Sequence, residues 1–376
     1  MAFCVAALGG FDVKEAYGAE KSGTSRSDDD GEWKVRIEVK GAERGKSGKS
    51  GKSAEGGKSG KGEPRVVDVE VDDIVIPASR HGQRLKLPAR LYRPKWSRPV
   101  EAGPAILMLH GSGGLHHMPK KGDDGPCSDT VKPQFRRWGK RLAELGYVVL
   151  MPASYSARGF CNTHEDADRM PRTFDERPEA LLGRIYDVDA ASRYLCDMDE
   201  VDCDRMGVFG FSHGATMAML ALHWQMDHAI ERFRERSGHK LDIELPDLER
   251  GRPEFQVGVA YYPGCGTDGF LPLSTGEDAS IYNKYFPTAD LYVLHASEDP
   301  LVDFCSADYG TGQREKQAAQ VAEYLGVDNT FHITVYENAG HGFDSGGEKG
   351  KPQPGDDEAR DRALKVALKQ IHRYLN

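Results

Sequence analysis

The chain has 376 residues, a formal net charge of −9, 39% hydrophobic residues and 29% charged residues. That composition supports a sizeable core and lies far from that of a disordered chain. The acidic balance argues against a general nucleic-acid binder, which needs a basic face to neutralise phosphates, and the length suits one α/β catalytic domain with a tail.

The chain opens with M-A-F-C-V-A-A-L-G-G-F, apolar but without a positive region before it, and it meets Asp12, Lys14 and Glu15 at once. Such a start reads at most as a damaged or truncated signal peptide. With no run of the length a membrane span needs, a soluble protein is expected, with the cytoplasm as the first reading and export as the second. Residues 18–64 are dominated by Gly, Ser, Lys and Glu, and residues 40–65 hold eight basic side chains against three acidic ones. Too little apolar surface is present there to offset the entropy of ordering, so residues 1–64 are expected to be a flexible leader or tail. An electrostatic anchor to an anionic surface is the alternative reading.

Residues 65–376 are expected to form the catalytic domain. Val66 begins V-V-D-V-E-V-D-D-I-V-I-P, and R-L-K-L-P-A-R-L-Y-R-P follows; the two read as an antiparallel strand pair. Ala105 to His110 is a short apolar run of the kind buried in a parallel sheet. Phe135, Trp138, Leu142 and Leu145 fall at helical spacing, with Gly146 as the stop. The strand Y-V-V-L-M-P, a helix carrying Leu181, Ile185, Val188 and Leu195, and the strand M-G-V-F-G come next. A charged insertion spans roughly 224–254. Three further strands (Q-V-G-V-A-Y-Y-P, L-Y-V-L-H-A and F-H-I-T-V-Y) and helices through Val321 and through Leu368 complete the series. This alternation predicts an α/β fold, a mostly parallel sheet with helices on both faces and reactive groups at the carboxyl ends of the strands.

Gly210, Ser212 and Gly214 form G-x-S-x-G between a strand and a helix. A turn so sharp excludes side chains two before and two after the serine, and it holds the serine hydroxyl exposed. A serine needs a base within hydrogen-bond reach. Of thirteen histidines, His341 in E-N-A-G-H-G-F-D follows the last strand between two glycines, whereas His332 lies within a strand and His223, His228 and His239 lie in helical or inserted sequence. The base in turn needs a carboxylate to fix its tautomer. Asp299, after the penultimate strand and before Pro300, is the candidate, with Asp303 and Glu298 as alternatives. H-G-S-G-G at residues 110–114 offers a backbone donor after the first core strand, so the N–H groups of Ser112 and His213 are the candidate oxyanion hole. A phosphate cradle there is disfavoured, since neither G-K-[ST] nor G-x-G-x-x-G is present. Arg158, just past a strand, is a candidate for meeting an anionic substrate group at the rim, with a solvated loop arginine as the alternative.

Seven cysteines (Cys4, Cys127, Cys161, Cys196, Cys203, Cys265 and Cys305) show no C-x-x-C pairing, and no metal is expected. The groups around His116, His117 and K-K-G-D-D, and around Cys161, His164, Glu165 and Asp166, lack ligand spacing and read as polar surface. An odd count leaves one thiol unpaired. Cys127 with Cys161 and Cys196 with Cys203 are conceivable bridges.

Together H-G-S-G-G, G-F-S-H-G-A, S-E-D-P-L-V and A-G-H-G-F resemble the dienelactone hydrolase-like family of the α/β-hydrolase superfamily over about residues 105–376. The resemblance implies a compact enzyme without a large lid domain and without a cofactor. Dienelactone hydrolases proper carry a cysteine where Ser212 stands, which shifts the expectation to a carboxylesterase acting on a small-molecule ester. The insertion and the long loop from His116 to Lys132 are expected to reshape the pocket. A serine peptidase, amidase or acyltransferase would use the same triad, and a non-catalytic binding protein of this fold is the reading of another class. Oligomeric state is not readable.

Overall fold

The computed structural model describes residues 64–80, 83–120, 127–162, 177–229, 231, 253–265, 281, 284–305, 313–347 and 350–376. The proposed leader up to residue 63, most of the insertion (residues 230 and 232–252) and residues 163–176, with His164, Glu165 and Asp166, lie outside the described residues, as does Cys4.

Strands β1 (Val66–Arg80) and β2 (Gln83–Trp96) pair antiparallel, placing Ile76 against Leu87. Alternation of V-x-V-x-V with acids fits an edge ribbon with one wet face: Val67 and Val75 are exposed while Ile76 and Ala78 are buried. Strands β3 (Gly103–Leu109), β4 (Val148–Pro152), β5 (Val201–Phe211), β6 (Val257–Tyr261), β7 (Asp290–Ala296) and β8 (Phe331–Tyr336) follow. The sheet order is β1-β2-β4-β3-β5-β6-β7-β8. β2 meets β4 antiparallel, and every pair from β4–β3 to β7–β8 is parallel.

Because the inner strands are covered on both faces, they read as continuous apolar runs rather than alternating ones. Ala105, Leu107 and Leu109 of β3 enter one core with helices α2 (Arg177–Cys196), α3 (His213–Ala221) and α4 (Gln313–Leu325). Ile106 and Met108 enter the other, with α1 (Pro133–Glu144) and α5 (Asp356–Leu375). The second core is aromatic: Trp138 of α1 meets Phe209 edge-on with ring centroids 4.7 Å apart. Burying rings of this size contributes about 1.5–3 kcal/mol each before packing geometry is counted. α1 starts with proline in its first turn and gives way at Gly146, whose φ is 96°.

Three disulfides are present among the described residues: Cys127–Cys161, Cys196–Cys203 and Cys265–Cys305. The third was not foreseen in the sequence. It joins the segment after β6 to the segment after β7, two stretches 40 residues apart that the parallel sheet sets side by side. Within the described residues no helix is long and apolar enough to cross a membrane.

Candidate active site

β5 runs straight into the turn that carries Ser212. There φ is 51° and ψ is −120°, a conformation a non-glycine residue adopts only under constraint from its surroundings. The constraint is visible on both sides. A Cβ on Gly210 would stand 2.1 Å from the carbonyl oxygen of Gly214, and one on Gly214 would stand 2.1 Å from that of Leu109. Only hydrogen fits at either place, so α3 begins hard against the end of β3 and the serine hydroxyl is pushed out of the sheet. The turn is tied to the next strand by Ser212 N–H donating to Tyr261 O at 2.9 Å.

His341 lies on the loop between β8 and α5. Asp356, buried at the start of α5, accepts from Gly340 N–H and Gln353 N–H, each at 2.8 Å, which holds that loop over the sheet end. His341 Nε2 is 2.9 Å from Ser212 Oγ, and His341 Nδ1 is 2.6 Å from Asp299 Oδ2. Asp299, only 1% exposed, accepts Leu301 N–H on its other oxygen at 2.9 Å. Glu298 and Asp303 are both exposed. The structure thus brings Ser212, His341 and Asp299 into one hydrogen-bonded line.

His295 lies behind the carboxylate, its Nδ1 3.7 Å from Asp299 Oδ2. That atom accepts Ala296 N–H at 3.0 Å, and His295 Nε2 lies 3.1 Å from Pro263 O. Burial first of all lowers the affinity of His295 for a second proton, so the ring is neutral with its hydrogen on Nε2. It fills space beside Asp299 without competing for its charge.

Ser112 and Ser212 line one cavity of about 400 Å³ with Lys132, Arg137, Tyr262 and His341. His117 and Lys132 bring the 116–132 loop to its wall, and Lys132 Nζ donates to Gly113 O. The bridge Cys127–Cys161 fastens that loop to the segment after β4. A second crevice, near 450 Å³, lies around Gln256, Asp290 and Thr330 at the amino ends of β6–β8, away from this line of side chains.

Arg158 is placed elsewhere. Its Nη1 donates to Asp187 Oδ2 at 2.8 Å and Ser154 O at 2.7 Å, and its Nη2 donates to Asp187 Oδ1 at 3.1 Å and Gly183 O at 2.8 Å. It does not line the cavity. With both terminal nitrogens engaged by Asp187 and by two backbone carbonyls, its place in the structure is that of a clamp between α2 and the segment after β4. Among the described residues the lysine and arginine side chains at the cavity are Lys132 and Arg137. Among the described residues no group of three or more His, Cys, Asp or Glu is arranged to hold a metal.

Sequence reasoning missed Tyr262 and Asp344. Tyr262 has φ 42°, its ring meets that of His341 edge-on at 4.7 Å, and its hydroxyl donates to Asp344. Asp344 also accepts from Gln134 Nε2 at 2.9 and 3.0 Å and weakly from Trp138 Nε1 at 3.4 Å. Burial raises the Asp344 carboxyl from its ordinary range, while those donors act the other way. Its signal was available: an acid three residues past His341 in a loop otherwise of glycine and phenylalanine.

Residues 87–233 match the model of the dienelactone hydrolase family. Mouse prolyl endopeptidase FAP is 25% identical over 243 residues, and cat dipeptidyl peptidase 4 is 23% identical over the same length; each match covers 59% of this chain. The chain spans about a quarter of these relatives, 26% of each. A putative dienelactone hydrolase from Klebsiella pneumoniae superposes with TM-score 0.51 at 16% identity, covering 82% of this chain and 100% of that one. A dienelactone hydrolase-like promiscuous phosphotriesterase from metagenomic libraries gives TM-score 0.51 at 14% identity, over 81% and 99%. At such identities the likeness concerns the fold, and it agrees with the strand order and two-faced helix packing described above. Residues 87–233 are thus similar in sequence to the dienelactone hydrolase family, and the fold is similar to that of these solved structures.

Proposed function

We propose that the protein is a serine esterase that cleaves small carboxylic esters through an acyl-enzyme. The observation that carries the reading is the line from Asp299 through His341 to Ser212 at 2.6 and 2.9 Å. Ser212 Oγ attacks the acyl carbon while its proton passes to His341 Nε2; Asp299 holds the Nδ1 hydrogen and offsets the imidazolium charge. The N–H groups of Ser112 and His213 receive the oxyanion. The alcohol departs with the proton from His341, and a water then repeats the sequence to release the acid. No cofactor enters the scheme.

The test is intact-mass analysis after treatment with a fluorophosphonate, alongside hydrolysis of p-nitrophenyl acetate. One adduct, mapped to Ser212, with turnover lost in proportion, is expected; a folded protein without an adduct would sink the mechanism. Because two curated relatives are peptidases by name, initial rates on an ester and an amide of the same acyl group belong in the same series. An amide rate equal to or above the ester rate would move the reading to an amidase or peptidase, whereas the esterase reading expects the ester to dominate.

We further infer an oxidising compartment from the three bridges, since such bonds persist outside reducing cytosol. In protein taken from its native source, alkylation before reduction should leave the six bridged cysteines unlabelled, and labelling after reduction should reach all of them. Full labelling without reductant would place the protein in a reducing compartment.

A further inference from the structure

Arg184 of α2 is 1% exposed, yet among the described residues no carboxylate bonds to it. The nearest acid along its helix, Asp187, has both oxygens engaged by Arg158. Among the described residues Asp187 is thus the one carboxylate beside both guanidinium groups, and it is bonded by Arg158 rather than by the buried Arg184. Arg184 Nη2 donates to His110 O at 2.9 Å, and its Nη1 lies 2.7 Å from His213 Nδ1. Tyr155 hydroxyl meets the same nitrogen at 2.7 Å, and the guanidinium carbon stands 5.2 Å from the Tyr155 ring centre. Because a guanidinium can only donate, Nδ1 accepts and the His213 hydrogen is on Nε2. Burial, and then the Arg184 charge, press His213 down to about 3, so it stays neutral across the working range of an esterase.

The two residues that Arg184 grips flank the nucleophile. His213 follows Ser212 and supplies one of the proposed oxyanion donors. His110 ends the strand before the other: its Nδ1 lies 2.9 Å from Gly111 O, and Gly114 N–H donates to the same oxygen at 3.0 Å. That carbonyl belongs to the peptide unit whose N–H is Ser112. Burial keeps His110 neutral, so Nδ1 carries its hydrogen and donates. One fork thus reaches both walls of the proposed oxyanion hole from behind.

We propose that Arg184 is a positioning residue for the oxyanion hole: its guanidinium fixes the Gly111–Ser112 peptide, through His110, and the His213 N–H at one separation, and faces the developing oxyanion with positive charge. The inference rests on the serine-esterase reading above. It implies that Arg184 acts on the transition state and hardly on the bound substrate, because the ground-state carbonyl oxygen is not where the donors converge.

The test compares full-length wild type with Arg184→Met and Arg184→Lys, measuring kcat and KM on p-nitrophenyl acetate and inhibition by phenylboronic acid, which forms a tetrahedral adduct on the serine. In a folded Arg184→Met protein kcat should fall about 10–100-fold with KM within about twofold, and boronic acid affinity should fall in step with kcat. Arg184→Lys, which keeps the charge but cannot span both acceptors, should lie between, about 3–10-fold below wild type. Should Arg184→Met fail to fold, the lysine variant decides. Wild-type kcat and boronic acid affinity in a folded variant overturn the proposal, as does a kcat loss with unchanged boronic acid affinity, which would mark a structural role. Wild-type protein that neither turns over ester nor depends on Ser212 would defeat the esterase reading and this inference with it.

Discussion

Ser212→Ala should fold as the wild type does and lose ester turnover by at least about 10⁴-fold in kcat. The size of the effect follows from the role: without the hydroxyl no acyl-enzyme forms, and only binding and oxyanion donation to a water attack remain. The fold should tolerate the change, since among the described residues the side-chain hydrogen bond of Ser212 runs to His341 alone. Its backbone bonds to Tyr261 O and from Thr216 N–H do not depend on the hydroxyl. Far-UV circular dichroism and thermal unfolding check the fold, and p-nitrophenyl acetate kinetics check the chemistry. Activity within about tenfold of wild type in a folded variant would assign nucleophilic attack to another group.

Asp299→Asn should cost about 10⁴ in kcat with little change in fold. Leu301 N–H donates to one carboxylate oxygen at 2.9 Å and His341 Nδ1 bonds the other at 2.6 Å. An asparagine would turn its oxygen to Leu301 and its amide nitrogen to His341. The imidazole would then accept at Nδ1 and carry its hydrogen on Nε2, the atom that must take the serine proton. His295 cannot make up the loss, because its Nδ1 already accepts Ala296 N–H. A fall in KM-independent turnover below about tenfold would refute this orienting role.

How far the sequence went depended on whether the partner was local. G-x-S-x-G, with β5 before it and α3 after it, carries its own explanation, because steric exclusion at Gly210 and Gly214 operates within five residues and one neighbouring strand. His341 was readable from its place between glycines after the last strand, and Asp299 only as one of three acids; burial separates it from Glu298 and Asp303. Arg158 was misplaced for the opposite reason. A loop arginine looks the same in sequence whether it meets water, substrate or Asp187, and Asp187 is 29 residues away on α2. Arg184 left no signal at all: an arginine among the charged residues of a helix reads as solvated surface, and only the packing of α2 beneath the Ser212 turn reveals it buried. Cys265 and Cys305 were likewise invisible as a pair until β6 and β7 were seen to be neighbours.

The three reactive side chains hang from the ends of separate strands, β5, β7 and β8, while the 116–132 loop that brings His117 and Lys132 to the cavity departs from β3 and is fastened by its own bridge to Cys161. Ser212, His341 and Asp299 all lie outside that loop, and the hydrogen bonds among them do not pass through it. On the serine-esterase proposal, cutting and choosing are therefore separately heritable: mutation can explore new substrates at the mouth without first changing the residues at the floor.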